Sequence, residues 1–182
     1  MTTLAELARA DDAGFVAALG SVFEHAPWVA RAALAHRPFA SGDELHAAMM
    51  GAVRALPEAE RVEFLCAHPE LAGAQARAGT MTADSVAEQG GLALAALGGD
   101  EAAAWDRLNT AYRARFGFPF VLCIRRHSRA SALRTFERRL RNERAAELAT
   151  AVDEIGRISR LRLAARVSDH GMTGLTGRLS TH

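Results

Sequence analysis

Lysine is missing from all 182 residues: the 22 basic side chains are arginines, set against 21 acidic ones for a formal net charge of +1. So small a charge gives no bulk field to gather nucleic acid or an anionic membrane, and neither partner is expected. Cysteine is scarce as well. Cys66 and Cys123 sit in apolar runs and fit no metal-ligand spacing, which points to reduced core thiols. No apolar run approaches the ~20 residues of a membrane span, and no secretory h-region follows Met1. A cytoplasmic protein is expected. The arginine-only basic set and the abundant alanine fit a GC-rich bacterial genome and carry no mechanistic content. A Gly-rich phosphate loop and a metal-ligand cluster are also absent, so no metal site is expected.

What is present is a globular composition, 49% apolar and 24% charged, of a length that suits one ordinary domain. Helical spacing runs through most of it. Phe15, Val16, Leu19, Val22 and Phe23 predict a helix over 12–24. Pro27 opens the next, which must stop before Pro38. Ser41-Gly-Asp-Glu44 has the form of a capping box, with Leu45, Met49 and Val53 following at four-residue steps. Pro57 opens a helix ending near His68-Pro69, and after a loop over 73–84 a second capping-box pattern appears at Ser85-Val-Ala-Glu88. Ala104, Leu108 and Tyr112 mark one face of a helix over 100–115, and two more helices cover 129–143 and 144–166.

One stretch breaks the period. Residues 116–124, Phe-Gly-Phe-Pro-Phe-Val-Leu-Cys-Ile, are apolar without helical spacing, and Pro119 forbids a helix interior. The expected fold is therefore all-α, a single helical-bundle domain over 1–166 with one buried extended segment near 116–124. That segment's backbone groups need partners, and either a ligand or neighbouring side chains could supply them.

The ionisable residues do not decide a function one by one. His68 at a helix end can cap the last carbonyls, and Glu88 can return a hydrogen bond to the Ser85 amide. Arg162, between Leu161 and Leu163, has the setting of a snorkelling surface residue. The basic run Arg125–Arg144 is broken by Glu137 and Glu143 and carries little aromatic interleaving beyond Phe136. It reads as a solvated helix face laced with i,i+4 pairs rather than a nucleic-acid surface.

Taken in order, however, a set of segments resembles the OHCU decarboxylase family, which converts 2-oxo-4-hydroxy-4-carboxy-5-ureidoimidazoline (OHCU) to allantoin. They are Phe-Glu-His-Ala-Pro-Trp-Val at 23–29, Arg-Pro-Phe at 37–39, His-Pro-Glu-Leu-Ala-Gly at 68–73 and Ser-Val-Ala-Glu-Gln at 85–89. Leu-Asn-x-x-Tyr at 108–112, Phe-Gly-Phe-Pro-Phe-Val at 116–121 and Glu-Ile-x-x-Ile-x-x-Leu-Arg-Leu at 154–163 complete the series. The resemblance covers residues 4–166, with Gly90-Gly91 standing where the family has Ala-Gly. It implies a catalytic pair, His68 and Glu88. It also implies a substrate pocket lined by Pro69, Ser85, Gln89 and Arg162, with backbone hydrogen bonds from Phe120, Val121, Leu122, Cys123 and Ile124. A homodimer without metal or organic cofactor is implied too. The alternative from another class is a non-catalytic helical module that binds a purine-like ligand or a partner protein.

After Arg166 the helical pattern stops, and Ser168-Asp-His-Gly-Met-Thr-Gly reads as a linker. Residues 175–182, Leu-Thr-Gly-Arg-Leu-Ser-Thr-His, resemble the opening strand of 5-hydroxyisourate hydrolase. Residues 167–182 are thus expected to be a linker and the start of a fused second enzyme, with His182 inert and the tail mobile.

Overall fold

The computed structural model describes residues 1–73, 76, 81–90 and 97–169, apart from the side chains of Gln89 and Arg126. The tail resembling a hydrolase lies outside the described residues. Among those described, nine α-helices account for most of the chain: α1 Leu4–Arg9, α2 Asp12–Leu19, α3 Pro27–Ala33, α4 Gly42–Ala55, α5 Glu58–Cys66, α6 Ala83–Gly90, α7 Gly99–Phe116, α8 Arg129–Arg139 and α9 Arg144–Arg166. The all-α expectation holds. The strands are two short ones, β1 Thr2–Thr3 and β2 Val167–Ser168, paired in parallel with Thr2 opposite Val167. The chain divides into two compact units: Met1–Ala55 with Ser159–His182, and Leu56–Ile158. Helix α9 contributes residues to both.

In the first unit, α2 is shorter than its apolar spacing predicts. It ends at Leu19, and Gly20 follows where a Cβ would lie 2.7 Å from the Val16 carbonyl and 3.2 Å from Pro27. Val22 and Phe23 remain buried, but from a turn rather than a helix. Within that turn His25 adopts the left-handed region (φ 49°). Pro27 takes the first position of α3, as its fixed φ and missing N–H favour. The Ser41 box is half as predicted: the Ser41 hydroxyl accepts from the Glu44 amide at 3.1 Å, while the Glu44 carboxylate accepts from the Ala40 amide at 2.7 Å. Leu45, Met49 and Val53 are fully buried, as their spacing requires.

The second unit is built around an aromatic core. The buried face of α7 is Trp105, Asn109, Tyr112 and Phe116, a row shifted by one residue from Ala104 and Leu108, which are half-buried. Gly117 ends α7 in the left-handed region (φ 84°). The chain then runs extended through buried Phe118–Leu122, as its aperiodic apolar sequence predicts, and closes in a 3₁₀ turn at Ile124–Arg126. Phe120 stacks on Phe136 of α8 with centroids 3.8 Å apart, and Tyr112 meets both rings edge-on.

Arg139 corrects the reading of 125–144 as a solvated face. It is 1% exposed, and its Nε donates to Glu147 at 2.8 Å. Its Nη1 donates to the Val121 carbonyl at 2.8 Å, and the guanidinium lies 4.6 Å from the Phe120 ring centre. The Tyr112 hydroxyl and the Asn142 amide also donate to Glu147. Two pairs of this stretch reach distant acids, Arg129 to Glu101 and Arg144 to Glu58.

Candidate active site

Every predicted site residue except Arg162 belongs to the second unit. His68 follows the end of α5 and is buried. Its backbone N–H bonds to the Leu65 carbonyl at 3.0 Å, and its Nδ1 lies 3.2 Å from the Phe64 carbonyl. A carbonyl can only accept, so Nδ1 carries the proton. In the neutral ring Nε2 is then the basic nitrogen. The capping role anticipated for His68 is real, and it uses Nδ1. The Phe64 ring packs against the imidazole at 5.3 Å, edge to face. Pro69, half-buried, begins the turn that Leu71, Ala72 and Gly73 complete.

The capping-box reading of Ser85 and Glu88 is overturned. Helix α6 starts earlier, at Ala83, with Thr82 ahead of it: the Thr82 hydroxyl accepts from the Ser85 amide at 3.4 Å and the Thr82 carbonyl from Val86 at 2.9 Å. Ser85 therefore lies inside the helix, buried, and Glu88 follows one turn later on the same side. Gln89 stands next to Glu88 in the same helix.

Helix α6 packs against the 3₁₀ turn at Ile124–Arg126, which brings Glu88 beside the end of the extended segment. The Cys123 thiol registers this. Burial pushes its pKa up, the Arg125 amide opposes, and the carboxylates of Glu154 and Glu88 raise it further. Cys123 is thus held as a neutral thiol. It is half-buried, whereas Cys66 is exposed rather than part of the core.

The extended segment's backbone partners are partly side chains of the protein itself. Val121 offers its carbonyl to Arg139, and the Cys123 N–H donates to Glu154 at 2.8 Å. Glu154 in turn pairs with Arg157. Of the two partner types left open by the sequence, neighbouring side chains account for these two groups.

Arg162 lies in the first unit, on α9, and is 6% exposed rather than snorkelling. Its Nη1 donates to the Glu24 carboxylate at 2.8 Å, and Glu24 is itself buried. Glu24, Asn109, Arg139 and Glu154 are buried polar residues that the sequence reading did not single out. Three of them stood inside quoted motifs, and only their burial as polar groups marks them out. Among the described residues, no group of three or more His, Cys, Asp or Glu gathers as a metal site, and no helix is long and apolar enough to cross a membrane.

The sequence matches the OHCU decarboxylase family model over residues 8–164. It is 41% identical over 166 residues to the 2-oxo-4-hydroxy-4-carboxy-5-ureidoimidazoline decarboxylase of Haloferax volcanii, covering 91% of this chain and 96% of that protein. It is 35% identical over 180 residues to the Uric acid degradation bifunctional protein PucL of Bacillus subtilis, covering 99% of this chain and 36% of that one. The fold matches a crystal structure of (S)-allantoin synthase with a TM-score of 0.73 and 25% identity, covering 91% of this chain and 54% of that one.

Proposed function

The chain belongs to the OHCU decarboxylase family, and we propose that it decarboxylates OHCU to (S)-allantoin in urate degradation, with His68 and Glu88 as its catalytic pair. The match over 8–164 carries this reading, since it spans every residue proposed for the site. Losing CO2 breaks a C–C bond and leaves an electron pair. In OHCU that pair moves into the adjacent ring C=N bond, so the substrate provides its own electron sink. The ring nitrogen that receives the pair takes up a proton, the hydroxyl on the same carbon as the departing carboxylate gives up its proton as a carbonyl forms, and a proton adds to the ureido-bearing carbon from one face. The protein must orient the anion and manage these three protons.

A histidine whose Nδ1 is committed to the Phe64 carbonyl presents one defined nitrogen, and that supports His68 Nε2 as the group acting on the hydroxyl. Glu88, on α6 beside Cys123, is the acidic partner in this reading, its charge disfavouring the substrate carboxylate in the ground state. Pro69, Ser85, Gln89 and the 120–124 backbone line the substrate. Arg162 orients its planar carboxylate or carbonyl edge through parallel N–H bonds. The same reading carries a cytoplasmic homodimer, which light scattering on the purified chain tests. The name of the Bacillus subtilis relative supports fused architectures in this family without naming the second enzyme, and residues 175–182 as a hydrolase start are proposed on their own resemblance.

OHCU decays spontaneously to racemic allantoin, so circular dichroism followed alongside substrate disappearance separates enzyme from background. The wild-type chain is expected to yield optically active product. Racemic product at the uncatalysed rate, or allantoin binding without turnover, would replace the enzyme with a binding module. His68→Ala is expected to lower kcat by about 10²–10⁴-fold, the range of a positioned acid or base.

A further inference from the structure

We propose that Asn109 is a positioning residue for His68, acting through the turn His68–Gly73; the proposal rests on the decarboxylase reading above. That turn is determined from several sides. Ala72, fully buried, is held in the left-handed region at φ 55°, where a residue with a Cβ is rarely found. Gly73 has no room for a side chain, because a Cβ there would lie 2.6 Å from the Glu70 Cβ. The Gly73 N–H closes the turn on the Glu70 carbonyl at 3.1 Å. Helix α7 fastens it from outside, one residue per turn. Asn109 Nδ2 donates to the Leu71 carbonyl at 3.0 Å, and Arg113 Nε donates to the Glu70 carboxylate at 2.8 Å.

The two fastenings differ in kind. Arg113 and Glu70 are partly solvated, at 46% and 27% exposure, so water screens their pair. Asn109 is buried, and its bond to Leu71 is shielded. Yet the amide satisfies only one of its two ends: Oδ1 is buried with no hydrogen-bond partner among the described residues. A leucine of similar size would remove that orphan acceptor while stranding one carbonyl, so the exchange is close to neutral for the fold. Asparagine at 109 is therefore poorly explained by stability. Its donor is explained by where it points, three residues beyond His68. A backbone held out of its preferred region persists only where its surroundings fix it, and such strain clusters at functional sites. The Leu108-Asn-x-x-Tyr112 motif thereby acquires a purpose for its second residue.

Asn109→Leu and Asn109→Asp test this in the full chain, with Arg113→Gln as the solvated control. The leucine variant removes the donor and keeps the bulk; the aspartate keeps the shape and turns an acceptor toward Leu71. Both are expected to lose roughly 10–100-fold in kcat with KM changed less than about threefold, as for a reacting group displaced by a fraction of an ångström to an ångström. The Asn109→Leu variant is expected to keep its Tm within about 4 °C of wild type. In the ligand-free protein, the ¹⁵N resonances of the His68 imidazole should move in both variants and stay in place in Arg113→Gln. Wild-type kcat in either Asn109 variant overturns the proposal, and so do unmoved His68 resonances. A parallel fall of Tm and kcat in Asn109→Leu with unmoved resonances assigns Asn109 to the fold alone. If the wild-type chain shows no turnover, the decarboxylase reading fails, and the imidazole resonances still decide whether Asn109 positions His68.

Discussion

Arg139 and Arg162 are both buried and both paired with a buried glutamate, yet what surrounds them differs. Arg139 spends its donors on the frame of the second unit: the Glu147 carboxylate, the Val121 carbonyl and the Tyr112 hydroxyl, with its flat face toward Phe120. Each of those groups holds the extended segment or the aromatic core against it. Arg162, in the first unit, pairs with Glu24 in a turn whose next residue, His25, is held in the left-handed region. The contrast separates an arginine that fastens backbone and rings from one whose partner sits beside local strain. The first is expected to register in stability and the second in activity.

Arg139→Met is the sharpest way to break that division. Removing Arg139 leaves the Glu147 charge buried without its counter-ion, a loss of about 3–5 kcal/mol. Denaturant unfolding should show it as a lowered midpoint, with α8 and the 118–124 segment the first to lose hydrogen-exchange protection. A midpoint within error of wild type would mean that aromatic packing alone holds the segment.

Arg162→Lys probes the other side. Lysine keeps the positive charge opposite Glu24 but cannot make two parallel N–H bonds to a planar group. We expect kcat/KM to fall on the order of 10²-fold, the scale for removing a preorganised donor, with a much smaller change in the unfolding midpoint. If stability falls as far as in Arg139→Met while the residual activity per folded molecule is normal, the two arginines are of one kind.

These two residues also mark where the sequence was legible. Helices α3, α4, α7, α8 and α9 follow from apolar spacing, prolines and caps, because those signals are local. The extended run follows from an aperiodic apolar string with Pro119 inside it. Arg139 was hidden because it stands among arginines that do face water, and only tertiary contact distinguishes it from Arg138 and Arg141. The start of α6 was misplaced because Ser85 is locally the better cap while the helix uses Thr82, one turn earlier. Glu154 and Asn109 were invisible for the same reason, since a buried polar partner twenty or more residues away leaves no trace in local pattern.

A gentler test of the Arg139 network uses pH. Tyr112 is the protein's single tyrosine, so tyrosinate absorbance reads it alone. Burial pushes its pKa well above the ordinary value of 10; Arg139 opposes the shift and the Glu147 carboxylate adds to it. The folded pKa is thus raised above the unfolded one. The stabilisation this represents is complete below about pH 10 and is lost as pH rises beyond it, because only the unfolded chain releases the proton there. The slope approaches about 1.4 kcal/mol per pH unit. Tyrosinate should therefore appear together with loss of helical circular dichroism. A tyrosinate titration near pH 10 in a chain that keeps its helices would show the hydroxyl to be solvated and the network open.

The smallest effect is expected two residues from Arg162. Arg160, on the same helix, pairs with Asp43 at 2.7 Å, a shorter contact than the 2.8 Å of Arg162 with Glu24. Distance alone would rank the outer pair higher. Exposure reverses the order, since Arg160 and Asp43 are 59% and 71% exposed and water screens both charges. Arginine is the better residue to change, because Asp43 lies in the first turn of α4 and also favours that helix's dipole. Arg160→Ala removes the pair, leaves Asp43 at the helix start and puts the best helix former into α9. A stability change within about 0.5 kcal/mol is expected, shrinking further in 1 M salt where the screening length is about 3 Å. A larger, salt-insensitive loss would place Arg160 with the buried arginines, and burial would then no longer be what separates Arg139 and Arg162 from the other described arginines.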